Sequence, residues 1–223
     1  SHDGIGVRPL EGLVPAGEIK ALAGHVEKCG GLVSRKTDPG GTESPYELNI
    51  TWFEALRDRE GQSDSLHERR FLCSQAIPMV LKGIPALYFN TLAAAPNDLD
   101  GVRRTGQKRS INRHKWNESE LAGLATRKMF TALIEMLKIR AAHSAFHPDA
   151  GQRVLMADDR LLVVERRHSE TGETVLAVCN VSDQAVPFKI ERAGLRPILG
   201  KHREQAPGVM ELPPYEVIWL SSL

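Results

Sequence analysis

The sequence predicts an α/β protein made of the C-terminal part of a (β/α)8 TIM barrel followed by a small antiparallel β-sandwich. Residues 64–142 run as helix, short apolar stretch, long polar loop and helix, which is the alternation of an α/β barrel. After residue 143 the pattern changes to short strands separated by turn signals. About 145 residues precede these strands, whereas a complete barrel needs about 250, so at most two strand–helix units fit.

The beginning of the chain is expected to be a long excursion that holds a single helix. Between repeated prolines and glycines, residues 16–28 alone place apolar side chains at helical spacing. Residues 46–56 indicate a short strand or turn that leads into a helix. Long excursions of this kind in compact domains are often functional.

The barrel elements are predicted downstream of this excursion. Residues 64–82 indicate a helix with Asp64 as its N-cap and Gly83 as its C-cap, and Pro78 is expected to kink or end it locally.

A short apolar run then predicts a buried strand over residues 84–90. A polar loop over residues 90–117 and a helix over residues 118–142 follow. In an α/β barrel the loop after the strand is the expected place for functional residues.

The end of the chain predicts a separate β domain. The turn signals are Asp158-Asp159, Thr171-Gly172 and Ser182-Asp183. The boundary is placed at Phe146-His147-Pro148, which gives domains over residues 1–146 and 147–223. The predicted strands cover residues 152–157, 160–167, 174–181, 186–191 and 215–221.

Composition excludes several classes of protein. The 223 residues carry 29 basic and 28 acidic side chains, so neither nucleic acid nor an anionic membrane surface is expected as a partner. No apolar run reaches the roughly 18 residues of a membrane span, and the N-terminus does not resemble a signal peptide. Three widely spaced cysteines, Cys29, Cys73 and Cys179, indicate a reducing cytoplasm. The chain lacks a starting Met, and we interpret its first residue as a cut inside a longer protein.

Three segments carry side chains suited to chemistry. The pair His2-Asp3 precedes Gly4-Ile5-Gly6, whose glycines allow close backbone approach to a ligand, but an isolated pair is more often a chance dipeptide before a turn. The segment from Tyr46 to Asn49 by itself resembles the start of a strand. Residues 103–113 hold five positive charges, which are usually a solvated loop but can also hold phosphate or orient hydroxyl groups. No metal-ligand spacing, Walker loop or nucleophile elbow is present.

Taken together, these segments resemble the sucrose phosphorylase branch of the α-amylase family, glycoside hydrolase family 13. The resemblance runs in order along essentially the whole chain, although no single motif decides it. The segments that carry it are His2-Asp3-Gly4-Ile5-Gly6-Val7, Gly12-Leu13-Val14-Pro15, Tyr46-Glu47-Leu48-Asn49, Gly83-Ile84-Pro85-Ala86-Leu87-Tyr88, Asn97-Asp98, Arg109-Ser110-Ile111-Asn112-Arg113-His114 and Leu212-Pro213-Pro214-Tyr215-Glu216-Val217.

The resemblance implies a retaining hexosyltransferase that moves glucose from an α-glucoside to inorganic phosphate and gives α-glucose 1-phosphate. Such enzymes use a carboxylate nucleophile and a general acid/base, and need no cofactor and no metal. The match assigns Asp3 as a third carboxylate that stabilises the transition state, and His2 as its neighbour. No segment matches the nucleophile or the acid/base, so the chain alone is expected to be inactive without the N-terminal half of the barrel.

The resemblance also implies a set of substrate-binding residues. Arg109 matches an arginine that contacts glucose hydroxyls, and Tyr46 a tyrosine on a mobile loop at the phosphate or acceptor. Glu47 stands where sucrose-specific members carry Gln, which makes the segment look closer to the glucosylglycerate phosphorylases of the same branch. Asn97 and Asp98 fall at the rim of the site, where a turn or cap is an equally good interpretation. The acceptor is left open among glycerate, fructose and fructose 6-phosphate.

Two rival functions remain. One is a hydrolase or transglucosidase of the same family, which an assay with and without phosphate would separate. The other is a catalytically dead carbohydrate-binding or scaffold protein, which reading the gene upstream for a strand with an Asp nucleophile would decide. Arg103, Arg104 and Lys108 are candidates for contacts to an anionic acceptor such as glycerate or fructose 6-phosphate.

Overall fold

The structure is a computed structural model that describes residues 3–37, 39–58, 66–190, 192–201, 204–206 and 208–223. The chain divides into two compact units. The first unit comprises Ser1–His67 and Leu87–Phe130, and the second unit comprises Glu68–Ala86 and Thr131–Leu223. The compact units thus interleave along the sequence, and the boundary placed near residue 147 stays a prediction about domains.

The described residues form a mixed α/β structure in which every ladder is antiparallel. The helices and strands are, in chain order, β1 (Ile5–Gly6), α1 (Ala16–Lys28), β2 (Leu32–Thr37), β3 (Glu43–Asn49), α2 (Trp52–Ala55), α3 (His67–Val80), α4 (Phe89–Leu92), α5 (Leu99–Thr105), α6 (Glu118–Ala122), α7 (Lys128–Ala142), β4 (Gly151–Asp158), β5 (Leu161–Arg167), β6 (Thr174–Asn180), β7 (Val186–Lys189), β8 (Arg196–Leu199), β9 (Glu204–Ala206), β10 (Val209–Leu212) and β11 (Val217–Ser221). Single 3-10 turns occupy Arg8–Leu10, Lys108–Asn112, Leu124–Thr126 and Ser144–Phe146.

Helix α1 has the bounds that the sequence predicts. Its buried residues are Ile19, Ala23 and Val26, which lie on one face because they are four and three positions apart. Gly30 follows the helix with φ of 74°, a left-handed conformation that glycine adopts without steric cost. The helix therefore ends here, and the chain continues directly into β2.

The sheet of the first unit has the strand order β1-β3-β2. Register places Ile5 opposite Leu48 and Gly6 opposite Glu47, so the residues that follow Asp3 run beside β3. The apolar side of the sheet packs with α1 into one buried cluster. Its members are Val7, Ile19, Ala23, Val26, Cys29, Val33, Leu48 and Ile50.

The second unit contains a five-stranded sheet of order β4-β5-β6-β11-β8 and a three-stranded sheet of order β7-β10-β9. All seven residues of β6 are buried, so both faces of this central strand are covered, whereas an antiparallel sheet commonly leaves one face to solvent. Side chains from both sheets enter one apolar cluster, which stabilises the unit by removing apolar surface from water. Its members are Leu161, Val163, Leu176, Val178, Val186, Phe188, Met210, Leu212, Ile218 and Leu220.

A buried arginine ties the chain that precedes β4 to the larger sheet. The guanidinium of Arg166 is fully buried and donates to the carbonyls of Gly151, Val80, His147 and Ala150 at 2.8–3.3 Å. A rigid fork of five N–H donors can satisfy several backbone acceptors at once, which an ammonium cannot do. Arg166 therefore joins the end of α3, the irregular segment before β4 and the start of β4 through one side chain.

Two of the predicted barrel elements take a different form in the structure. The strand predicted over residues 84–90 is wrong: residues 84–88 join no ladder among the described strands, and the chain enters α4 at Phe89. Ile84 is 84% exposed, so this apolar run is not buried throughout. A strand needs a neighbour to accept and donate its backbone hydrogen bonds, and no described strand of this chain runs beside it.

The helix predicted over residues 118–142 is divided into α6, a 3-10 turn and α7. Asn117 and Glu120 form a capping box at the start of α6, and the helix ends after five residues at Gly123. Glycine is a poor helix former because it loses the most backbone freedom on folding. Apolar residues continue at helical spacing through this break, so the hydrophobic periodicity did not indicate the end of α6.

The first 45 residues, expected to hold a single helix, also form β1 and β2 and contribute to a buried core. The remaining differences lie at the ends of elements and in the β region. Helix α3 is described from His67 to Val80, while Asp64, the predicted N-cap, lies outside the described residues. Pro78 falls in its last turn and does not interrupt it. Strands β8, β9 and β10 were not predicted, because they are short and lack a clear alternation. No helix among the described residues is long and apolar enough to cross a membrane.

Candidate active site

Asp3 is held at both its backbone and its side chain by two consecutive residues of the loop that follows α5. The amide of Asn112 donates to the carbonyl oxygen of Asp3 at 3.1 Å. Arg113 donates through Nη2 to the Asp3 carboxylate in an ion pair. A carboxylate fixed in this way has a defined orientation and a compensated charge. His2, its predicted neighbour, lies outside the described residues.

A buried amide network fixes Asn112 in turn. The carbonyl of Asn112 accepts from the hydroxyl of Tyr88 at 3.1 Å and from Nδ2 of Asn90 at 3.0 Å. Asn90 is 6% exposed, and its Oδ1 accepts from Nε1 of Trp116 at 2.6 Å. Burial raises the pKa of the Tyr88 phenol, so it remains a donor at neutral pH. These hydrogen bonds therefore hold the loop around Asn112 in one conformation.

Glu47 and Arg109 form a two-pronged ion pair beside Asp3. Nε of Arg109 donates to Oε2 of Glu47 at 3.1 Å, and Nη2 lies 3.1 Å from Oε1. The Glu47 side chain is 9% exposed, whereas that of Arg109 is 47% exposed. Such a planar, bidentate contact fixes the guanidinium as well as neutralising the carboxylate. Glu47 thus presents Arg109 to solvent in one orientation.

Gly4 makes this arrangement possible. A Cβ atom at position 4 would lie 2.5 Å from Cγ of Glu47 and 2.8 Å from the carbonyl oxygen of Leu48. Both distances are shorter than real side-chain contacts, so any other residue would displace β3 or the Glu47 side chain. The glycine next to Asp3 is therefore required by the close approach of Glu47, which the sequence alone did not indicate.

The charges of this site influence one another. The pKa of Arg109 is raised chiefly by its hydrogen bond to Glu47, with further contributions from the charges of Glu47, Asp3 and Tyr46. Two carboxylates, two guanidinium groups and a half-buried tyrosine therefore meet in one region of the first unit. Groups of this kind bind the hydroxyls of a sugar, because carboxylates accept and guanidinium groups donate hydrogen bonds.

The side chains of Asn97 and Asp98 contact nearby backbone. Oδ1 of Asn97 accepts from the backbone N–H of Thr51 at 3.0 Å, and Nδ2 lies 3.4 Å from the carbonyl oxygens of Cys29 and Gly30. Asp98 is the N-cap of α5 and accepts from the backbone N–H of Gly101 at 2.6 Å. Asn97 thus joins backbone groups that are far apart in the sequence, and Asp98 acts as a helix cap. A role of either residue toward an acceptor stays a prediction.

The predicted basic loop is only partly available to a ligand. Nζ of Lys108 donates to the carbonyl of Val33 in β2 at 2.7 Å, which ties the loop to the sheet. Arg103 pairs with Asp100 one turn before it on α5, and both side chains are exposed. Arg104 is exposed in the last turn of the same helix. Of the five positive charges, Arg109 and Arg113 are the ones that contact predicted site residues.

The structure thus brings together Asp3, Tyr46, Glu47 and Arg109, and it adds residues to which the sequence assigned no role. Asn112 and Arg113 lay within a segment that carried the family resemblance, although nothing in that segment indicated their contact with Asp3. Tyr88 is likewise the last residue of a segment that carried the family resemblance. Asn90 followed an apolar run with no motif, and its buried network is visible only once the fold is known.

Comparison with known proteins shows what this chain is similar to in sequence and fold. No family profile matches the chain. A glucosylglycerate phosphorylase from Allomeiothermus silvanus is 36% identical over 227 residues, which cover 99% of this chain and 39% of the relative. A glucosylglycerate phosphorylase from Escherichia coli (strain K12) is 31% identical over 226 residues, which cover 99% of this chain and 40% of the relative.

A solved structure of similar fold is the sucrose 6F-phosphate phosphorylase from Thermoanaerobacter thermosaccharolyticum. Its TM-score is 0.70 at 21% identity, and the match covers 81% of this chain and 35% of that one. The chain is therefore similar in sequence to glucosylglycerate and sucrose phosphorylases. Within that class, the resemblance to the sucrose phosphorylase branch, with its glucosylglycerate phosphorylases, is confirmed. The chain spans about 40% of the length of the curated relatives that it matches.

Proposed function

We propose that this chain is the C-terminal part of a retaining α-glucoside phosphorylase that transfers glucose to inorganic phosphate and releases α-glucose 1-phosphate. The observation that carries the proposal is the match along 99% of the chain to two phosphorylases that act on glucosylglycerate. The site of the first unit is consistent with it, because Asp3, Glu47 and Arg109 lie close together and offer a sugar both donors and acceptors.

In this reaction Asp3 stabilises the transition state. The anomeric carbon gains positive charge as the glycosidic bond breaks, and a nearby carboxylate attracts that charge more strongly than it attracts the neutral ground state. The clamp by Asn112 and Arg113 orients the carboxylate before the substrate arrives, so little reorganisation is needed. His2 is assigned the neighbouring sugar hydroxyl, as the family resemblance implies.

Arg109 is assigned to a glucose hydroxyl and Tyr46 to the side of phosphate or acceptor. Glu47 takes part in acceptor selection and holds Arg109 in place, because its carboxylate engages both donors of that guanidinium. The same position carries Gln in sucrose-specific members, and a neutral amide cannot make an equivalent ion pair. This difference favours a glucosylglycerate-type substrate over sucrose itself.

The nucleophile and the acid/base are proposed to come from an N-terminal barrel half that lies outside this chain. In this arrangement residues 1–146 contribute the last elements of a TIM barrel and residues 147–223 a C-terminal β-sandwich. The shared core of the two antiparallel sheets supports the second assignment. Three cysteines that form no disulfide support a place in the cytoplasm.

An activity panel tests the proposal. Phosphate is supplied together with glucosylglycerate, sucrose or sucrose 6F-phosphate, and α-glucose 1-phosphate is measured. We expect no product from the 223-residue chain, and product from the complete gene product that contains it. In that longer protein Asp3→Asn should lower kcat by about 100-fold or more, as for loss of one transition-state contact.

The same panel without phosphate separates the rival functions. Release of free glucose at an equal rate in both conditions would identify a hydrolase. Absence of turnover in the complete gene product would favour a binding or scaffold protein. Release of α-glucose 1-phosphate by the 223-residue chain alone would contradict the assignment of the nucleophile to a separate segment.

A further inference from the structure

A cleft lined mostly by charged and polar residues lies at one end of the hairpin that β4 and β5 form in the second unit. Its volume is about 510 Å³, which is within the range of pockets that hold small molecules. It is lined by Gly151, Gln152, Arg153, Glu165, Arg167 and Ser169. None of these residues belongs to the site around Asp3, and none is used in the proposed reaction.

Strand register explains why this surface is concave and charged. Gly151 is paired with Arg167, and Arg153 is paired with Glu165, so these four positions share one face of the sheet. Because Gly151 has no side chain, the position paired with Arg167 leaves space on the side of β4. A Cβ atom at position 151 would make only an ordinary 3.5 Å contact with the carbonyl oxygen of Arg167. The glycine therefore widens the cleft and is not required by the fold.

The arginines of the cleft keep much of their hydrogen-bonding capacity. Nη1 of Arg153 lies 3.5 Å from Oε1 of Glu165, and Nη1 of Arg192 lies 3.6 Å from Oε2 of the same carboxylate. Both distances exceed the 2.7–2.9 Å of a strong charge-assisted hydrogen bond. Within the described residues Arg167 is exposed and has no ion pair. Two guanidinium groups near Glu165, together with Arg167 in the lining of the cleft, leave an excess of positive charge.

We propose that this cleft is an accessory binding site for a phosphorylated sugar. The forked donors of Arg153 and Arg167 fit a phosphate group, which accepts hydrogen bonds from guanidinium in a planar, bidentate manner. Glu165 is 19% exposed and would repel a bare anion, but its oxygens accept hydrogen bonds from hydroxyl groups. Ser169 adds a hydroxyl at the rim. A ligand with both an anionic group and several hydroxyls satisfies the arginines and the carboxylate together.

Binding of three probes to the 223-residue chain tests the proposal. Glucose 6-phosphate, inorganic phosphate and glucose are titrated separately, with calorimetry for affinity and backbone amide NMR for location. We expect saturable binding of glucose 6-phosphate that shifts the amides of residues 151–153 and 165–169. Inorganic phosphate should bind at least tenfold more weakly than glucose 6-phosphate, and glucose should show no saturable binding. Higher salt should weaken the binding, because the contacts are exposed charges.

Variants distinguish this cleft from the site around Asp3. Arg153→Ala and Arg167→Ala should each weaken glucose 6-phosphate about tenfold or more, which is the effect of losing one charged hydrogen bond. Gly151→Leu should block the cleft while the thermal midpoint stays near that of the wild type. Arg160→Ala is the matched control, since Arg160 lies at the opposite end of the same hairpin, and it should leave the affinity unchanged.

Three outcomes would overturn the proposal. One is the absence of saturable glucose 6-phosphate binding at millimolar concentration. Another is binding that survives Arg153→Ala and Arg167→Ala but is lost in Arg109→Ala, which would place the ligand in the first unit. The third is that inorganic phosphate binds as tightly as glucose 6-phosphate. That result would show that Glu165 gains no affinity by accepting hydrogen bonds from sugar hydroxyls. None of these results depends on whether the complete protein is a phosphorylase.

Discussion

A single buried carboxylate links the segment before β4 to the strands β6 and β11. Glu173 is 2% exposed and accepts hydrogen bonds from Nδ1 of His143 at 2.5 Å and from the hydroxyl of Ser144 at 2.7 Å. The carboxylate also accepts hydrogen bonds from the backbone N–H of Ala145 at 3.1 Å and from the hydroxyl of Ser221 at 3.0 Å. Burial alone would raise the pKa of Glu173, but these four donors lower it to about 2.

This shift predicts how stability depends on acidity. The pKa of a glutamate in an unfolded chain is about 4.5, so the folded state favours the ionised form. The stabilisation is fully present above that value and is lost as pH falls from about 4.5 toward about 2. We expect it to amount to roughly 3 kcal/mol in the free energy of unfolding. Urea unfolding of the wild type and of Glu173→Gln at pH 7, 4 and 2.5 measures it.

The variant should be less stable than the wild type at pH 7, and the two curves should converge at acidic pH. Glu170→Gln is the matched control, because Glu170 is exposed on the same loop, and its curve should follow the wild type. Equal pH dependence in wild type and Glu173→Gln would show that the buried carboxylate is not the group that titrates.

At the level of elements, β1 and β3 offer a comparison between two glycines. A Cβ atom at Gly4 would overlap Cγ of Glu47 and the carbonyl oxygen of Leu48, whereas one at Gly6 meets nothing within 4 Å. We expect Gly4→Ala to lower the free energy of unfolding by about 1–3 kcal/mol, as overpacking does. Gly6→Ala should change it by about 0.5 kcal/mol or less. Chemical denaturation of the two variants measures both values.

The same pair tests whether β1 sets the geometry of the site. In Gly4→Ala the displaced Glu47 should lose its two contacts with Arg109, and the Nε–H resonance of Arg109 should shift or broaden. In Gly6→Ala that resonance should stay where it is in the wild type. Identical spectra for both variants would mean that β1 and β3 can adjust without moving the Glu47 carboxylate.

The sequence predicted those elements whose signals are local. Helix α1 has a proline before it, a left-handed glycine after it and one apolar face, and its bounds agree with the structure. The apolar run after Gly83 had no such local determinant, because a strand depends on a neighbour. The extra strands β8, β9 and β10 were missed for the related reason that their pairing, not their alternation, defines them.

The sequence likewise predicted only part of the candidate site. The family motif supplied Asp3, Glu47 and Arg109, because residue type at a matched position is information that a sequence contains. It did not supply the contacts of Asn112 with Asp3 or of Asn90 with Asn112, which join residues more than 20 positions apart. Such contacts depend on how loops fold back on one another, and periodicity carries no record of that.

At the scale of the whole molecule, the two compact units contain different cysteines. Cys29 is in the first unit, and Cys73 and Cys179 are in the second. Their exposed fractions are 1%, 3% and 0%, and none forms a disulfide. A hydrogen bond with Cys73 and burial raise the pKa of the Cys179 thiol. Since all three sulfur atoms are buried and a labelling reagent must reach the thiolate, each cysteine should react only when the unit around it opens.

Thiol labelling therefore measures the opening of each unit separately. With a chromogenic disulfide reagent at pH 8, the native chain should show no prompt reaction, and the denatured chain should release three equivalents. Mass spectrometry after timed alkylation then gives one rate for Cys29 and another for Cys73 and Cys179. Ser119→Cys is the control, since residue 119 is exposed on α6, and it should add one prompt equivalent. Prompt labelling of Cys29 in the native chain would contradict the packed α1–β3 core, while prompt labelling of Cys179 would contradict burial of the central strand β6.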